Sequence, residues 1–196
     1  MTHRMIRMEN IQTRQRNDGR YLEGHVAVFD REYEVFPGWV ETIAPGAFSG
    51  TLARGGDVKA LWNHNPDIVL GSTAAGTASA HEDATGLMAS ILINENDTDA
   101  MNGLARVARG DVTGCSIGFD IIRQEEWWEG DVLHTKILEV ELYEFSPCTF
   151  PAYKDTDINA RSLGGDGSVK AQLEAARQKR HDTWQATMLA KLKGVN

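Results

Sequence analysis

Cysteine is scarce in this chain, with two among 196 residues, Cys115 and Cys148. So few make no disulfide framework, and the expectation is synthesis in a reducing, cytoplasmic compartment. Long apolar runs are also missing. No stretch approaches the ~20 residues that cross a bilayer, and Met1-Thr2-His3-Arg4-Met5-Ile6-Arg7 lacks the apolar core of a secretory signal. No membrane partner is expected. There is no Cys-x-x-Cys and no His-x-x-x-His spacing, and so no metal is expected. Gly71-Ser72-Thr73 and Gly164-Gly165 lack the lysine and the helix context of a phosphate loop, and so no cofactor is expected. Positive charge is in deficit, with a net charge of −8. The six Lys/Arg and three Asp/Glu from Asp166 onward leave that tail at +3 and the rest at −11. An acidic body argues against nucleic acid as a direct partner.

What is present is strand pattern and turn punctuation. Tyr21 to Phe29 alternates, with Leu22, Gly24, Val26 and Val28 on one face. Pro45-Gly46-Ala47-Phe48 opens a short helix that Gly55-Gly56 ends. Val58 to Asn63 reads as a strand that delivers His64. Val69 to Ala80 and Gly86 to Ile93 read as a hairpin with a loop longer than two residues. Asp97 to Arg109 is a helix: Asp97 or Thr98 caps it, Ala100, Met101, Leu104, Val107 and Ala108 form its stripe, and Gly110 stops it. Two long strands follow, about 112–124 and 132–145, with Pro147 and Pro151 ending strand structure. The expected fold class is mainly β with peripheral helices (α+β), its six or seven strands closed into a β-barrel. The expected organisation is a domain over 1–161, a flexible linker over 162–168 and an amphipathic helical tail over 169–196. That tail either packs back on the body or docks on a partner.

The chemistry centres on three residues. In Gly114-Cys115-Ser116-Ile117-Gly118-Phe119 strand alternation groups Cys115, Ile117 and Phe119 on an apolar face and Gly114, Ser116 and Gly118 on the other. Two glycines beside a serine leave room for another backbone. The letters match Gly-x-Ser-x-Gly, but they lie within a strand and not at a strand-to-helix elbow. Cys115 is the rival nucleophile, and parity sets it with the core. His64, between Asn63 and Asn65, can act as a base near neutral pH. It ranks above His25, His81 and His134, which lie on an outer face, in a turn and near a strand start. A base needs an orienting group. On alternation Glu144 shares a face with Leu138, Val140 and Leu142, where a carboxylate needs a partner; Arg106 or Arg109 is the ordinary candidate and His64 the catalytic one. Glu141 is the alternative third member.

These segments, in one order across roughly residues 20 to 160, resemble the prohead (capsid maturation) proteases of tailed bacteriophages, the HK97-type family. The matching strings are Gly24-His25-Val26-Ala27-Val28-Phe29, Glu41-Thr42-Ile43-Ala44-Pro45-Gly46-Ala47-Phe48 and Leu61-Trp62-Asn63-His64-Asn65. Leu70-Gly71, Gly86-Leu87, the Ser116 string and Leu142-Tyr143-Glu144-Phe145-Ser146-Pro147-Cys148-Thr149-Phe150-Pro151-Ala152 complete them. The family is related in fold to the herpesvirus assembly proteases. The resemblance implies an assemblin-like β-barrel with His64 as base, Ser116 as nucleophile and Glu144 as third member. It implies a serine endopeptidase that works inside the assembling prohead in the host cytoplasm. Its substrates would be scaffold protein or the scaffolding segment of the major capsid protein, and then the enzyme itself. A homo-oligomer is compatible with this. Cys115 beside the serine and Tyr153 after Pro-Ala depart from the family pattern. The alternative function is a non-catalytic scaffold-binding protein on the same fold.

Overall fold

The computed structural model describes residues 2–4, 11–149 and 166–192, with side chains for 11–149 and 170–183. The elements in chain order are β1 (Thr2–Arg4), β2 (Gln12–Arg16), β3 (Gly19–Val28), β4 (Tyr33–Phe36), β5 (Trp39–Ile43), α1 (Ser49–Arg54), β6 (Lys59–Trp62), β7 (Asn65–Ser72), β8 (Ala78–Glu82), β9 (Gly86–Leu92), α2 (Thr98–Arg109), β10 (Gly114–Glu129), β11 (Val132–Cys148) and α3 (Asp166–Leu192). One sheet runs β1-β10-β11-β5-β4, with β6 also on β11 and β7 on β6; the other runs β2-β3-β9-β8.

The organising strand is β11. One edge takes β10 antiparallel along nearly its whole length. Its other edge is shared: Leu133–Ile137 pair parallel with β5, and Glu144 and Phe145 pair parallel with β6. The backbone between those stretches needs other partners, since buried peptide groups are costly when unpaired. The α1 segment supplies them. The Val140 N–H donates to the Ala47 carbonyl at 3.0 Å. The buried Thr51 hydroxyl donates to the Val140 carbonyl at 2.6 Å and accepts from the Leu142 N–H at 3.1 Å. Apolar residues of both sheets meet in one core that includes Leu22, Phe48, Leu87, Ile91, Ile117, Phe119, Val140 and Phe145.

The expected closed barrel is not formed. The structure is mainly β with a few helices (α+β), and among the described residues no ladder joins the two sheets. One strand was expected over 69–80. Instead β7 ends at Ser72, a turn through Thr73 and Gly76 intervenes, and β8 starts in the other sheet. Edge β8 meets α1 through a side chain: Glu82 accepts from the Phe48 N–H at 3.0 Å. Pro147 does not end its strand either. Strand β11 runs through it to Cys148, and the Pro147 carbonyl accepts from the Asn63 N–H at 3.1 Å. Pro151 lies outside the described residues.

Helix α2 follows from local chemistry. The Asp97 carboxylate accepts from the Asp99 and Ala100 N–H groups, and Gly110 closes the helix in a left-handed conformation. Ala100, Leu104 and Val107 are buried as the stripe requires, but Ala108 faces solvent. Gly103 takes its place in the contact, because a Cβ there would lie 3.0 Å from the Trp62 ring. Helix α3 packs back on the body. Leu173 is buried against Trp39 and Leu133, and the Arg180 guanidinium lies 4.9 Å from the Trp128 ring centroid. Residues 162–165 of the expected linker lie outside the described residues.

Candidate active site

Strand register gathers the site. Gly114 pairs with Cys148, Ser116 with Ser146, and Gly118 with Glu144. Cross-strand partners share a face, so Glu144, Ser146 and Cys148 form a row opposite Gly-Ser-Gly. Strict alternation put Glu144 with Leu142 on the core face, and the register corrects this. Phe119 pairs with Leu142 while Gly118 pairs with Glu144, leaving Tyr143 as an extra residue. This β-bulge flips the parity and moves the carboxylate to the serine's face. A second irregularity near Arg123 leaves Leu138 only half-buried.

His64 reaches the same face from a neighbouring hairpin. Trp62 pairs with Asn65, so Asn63 and His64 are the two turn residues, with φ of 52° and 60°. Two positive φ values are the signature of the type I′ turn, whose twist suits adjoining strands. Such values are unusual for residues other than glycine, and contacts to the end of β11 hold them. The Asn63 side chain accepts from the Thr149 N–H at 2.8 Å and donates to the Thr149 hydroxyl at 3.2 Å. The His64 N–H donates to the Ser146 hydroxyl oxygen at 3.2 Å.

The His64 imidazole meets Glu144 directly, with Nδ1 2.6 Å from Oε1. Glu144 is 3% exposed. An imidazole bonded in this way keeps its proton on Nδ1 and presents Nε2 as a base. The other carboxylate oxygen, Oε2, accepts from the Ser146 hydroxyl at 2.6 Å. His64 Nε2 lies 3.7 Å from Cys148 Sγ. The Ser116 N–H and hydroxyl also hydrogen-bond to Cys148, so Ser116 and His64 flank one thiol. Ser116 is 0% exposed. The room beside its glycines therefore does not stand open to solvent.

The two thiols differ in placement. Cys115 pairs with Pro147 on the opposite face, and no register shift near Gly114 disturbs that parity. Burial, with the Glu144 charge adding, pushes the Cys115 thiol up to about 12. Burial, then Cys115 and Glu144, also push the Cys148 thiol well above the usual range.

The competing residues have other partners. His25 Nε2 lies 2.8 Å from Asp83. The His134 ring stacks on Trp127 at 5.2 Å. His81 is exposed on β8. Glu141 is ion-paired with Arg54. Arg109 bonds to Asp111, and the Arg106 guanidinium lies over the Trp62 ring. Sequence reasoning missed Asn63, Ser146 and Cys148. The period-two spacing of Glu144, Ser146 and Cys148 was the available signal for the last two.

No curated protein and no solved structure matches the chain. The sequence profile of the caudovirus prohead serine proteases matches residues 9–167, a span that holds the His64 turn, the Ser116 strand and the Glu144 strand, and the chain belongs to that family.

Proposed function

We propose that Ser116 is the nucleophile, His64 the base and Glu144 the orienting acid of a peptidase that cleaves scaffold protein or the scaffolding segment of the major capsid protein. A prohead protease acts on such proteins inside the assembling capsid in the host cell. The observation that carries the residue assignment is the 2.6 Å contact between His64 Nδ1 and Glu144, with Nε2 turned toward the corner that Ser116 shares. His64 Nε2 takes the hydroxyl proton as Ser116 Oγ attacks a peptide carbonyl carbon. The tetrahedral intermediate collapses, and the amine leaves with the proton from His64. Water then enters by the same base and releases the acyl group from Ser116. Backbone N–H groups facing the oxyanion each contribute about 2.7–4 kcal/mol in related chemistry. The tail over 169–196 would locate the enzyme in the prohead and be removed by self-cleavage after the domain over 1–161. Its net positive charge against an acidic body supports a separate role.

A second reading has one observation in its favour: Cys148, not Ser116, could attack, since its Sγ lies 3.7 Å from His64 Nε2. Burial disfavours the thiolate that such a mechanism needs. Co-production with capsid and scaffold proteins, followed by intact-mass measurement, separates the readings. The native chain and Cys148→Ala should yield cleaved partner and a shortened enzyme. Ser116→Ala should yield neither, a loss of about 10⁶-fold. Cleavage by Ser116→Ala but not by Cys148→Ala would assign the reaction to the thiol. Assembled proheads with every chain intact would favour the scaffold-binding alternative.

A further inference from the structure

We infer that Ser146 is a positioning residue that sets the basicity and orientation of His64. The inference rests on the proposed role of His64. The Ser146 hydroxyl lies in a closed ring of three hydrogen bonds. It accepts from the His64 main-chain N–H at 3.2 Å and donates to Glu144 Oε2 at 2.6 Å. Glu144 Oε1 in turn meets His64 Nδ1 at 2.6 Å. One hydroxyl thus ties both the main chain and the ring of the same histidine to one carboxylate. Ser146 is 0% exposed, so water does not readily replace a lost bond there. It also pairs with Ser116 across the strands, which fixes the ring relative to the hydroxyl that would attack.

The ring has a chemical consequence. A hydroxyl donating to a carboxylate draws off negative charge and lowers its basicity. Without that donor, Glu144 would hold the protonated imidazole more strongly, and His64 would stay charged to higher pH. A charged imidazole cannot act as a base. Among the described residues, the other titratable groups beside Glu144 and His64 are Cys148 on β11, Cys115 on β10 and Lys59 on β6, which pairs with Glu144 in register. The Arg54–Glu141 pair lies beyond the bulge, between α1 and β11. Burial keeps both thiols protonated near neutrality, and Lys59 is ion-paired with Asp57.

The test compares Ser146→Ala and Ser146→Thr with the native chain. Alanine should lower kcat about 10–100-fold, by analogy with loss of the groups that orient metal-bound histidines, with KM unchanged. The acid limb of the pH profile should move to higher pH. Threonine keeps the hydroxyl and should restore the limb. The His64 ring titration, followed by NMR, should rise in Ser146→Ala and return in Ser146→Thr. This last measurement needs no proteolysis, so it separates the two ideas. If the native chain cleaves nothing, the catalytic reading fails while the ring is still tested. A His64 titration in Ser146→Ala that matches the native one overturns the inference, even in an active protease.

Discussion

Among the described residues, two histidine–carboxylate pairs come within 3 Å, and their distances are nearly the same: 2.6 Å for His64–Glu144 and 2.8 Å for His25–Asp83. Their settings differ. Glu144 is buried, receives a second bond from Ser146, and faces a strand that carries a serine. Asp83 is exposed and also accepts from the Thr85 and Gly86 N–H groups, so it shapes the β8–β9 turn. The pair alone is therefore not the mark of a base. Burial and a hydroxyl nearby set the pair proposed for catalysis apart from the one that closes a loop.

The largest test of this contrast is Glu144→Gln. An amide there can donate to Nδ1 and favour the wrong tautomer. Cleavage should fall about 10⁴-fold, by analogy with the loss of an orienting acid elsewhere, while Asp83→Asn leaves cleavage at the native rate. Equal effects from the two, in a quantitative cleavage assay, would erase the distinction. Leu173→Ala comes next, because it touches neither pair. Truncating a leucine buried against Trp39 and Leu133 should cost the docking of α3 about 2–5 kcal/mol. Hydrogen exchange should rise along α3, and both histidine titrations should stay in place. A shift of either titration would tie the tail to the pairs.

Asp83→Asn has the smallest effect, on stability. Its bond to His25, then those to the Thr85 and Gly86 N–H groups, hold the Asp83 carboxyl down to about 2, from 3.8. A group lowered on folding stabilises the folded form above its unfolded value and stops doing so as pH falls through its folded one. The native chain should therefore melt slightly above Asp83→Asn at pH 5 to 6. The gap should narrow below about pH 4 and close toward pH 2. A gap of constant size, measured by thermal melting, would remove the charge from the explanation.

What could be read from the letters follows the range of each interaction. Helix α2 was legible because Asp97 and Gly110 act within one turn of it. Ser116 and Glu144 were legible as strand residues, and His64 as a residue at a strand's end, though not as part of a turn; the Cys115 parity held because no bulge intervenes. The face of Glu144 was not legible, since the extra residue at Tyr143 shows only in the pairing with β10. Barrel closure failed for a similar reason. Two strands share one edge of β11, with α1 filling the space between them, and alternation within a strand does not encode which neighbours it has. Pro147 stayed in its strand because its carbonyl is used there, a contact set by a turn more than eighty residues earlier in the chain.

The Asn63–His64 turn has one more consequence. In a two-residue hairpin with left-handed dihedrals at both positions, glycine is the most comfortable second residue. Pressure toward a sturdier hairpin would favour asparagine followed by glycine and would discard the imidazole. On the proposed assignment of His64 as the base, robustness and chemistry compete for a single codon.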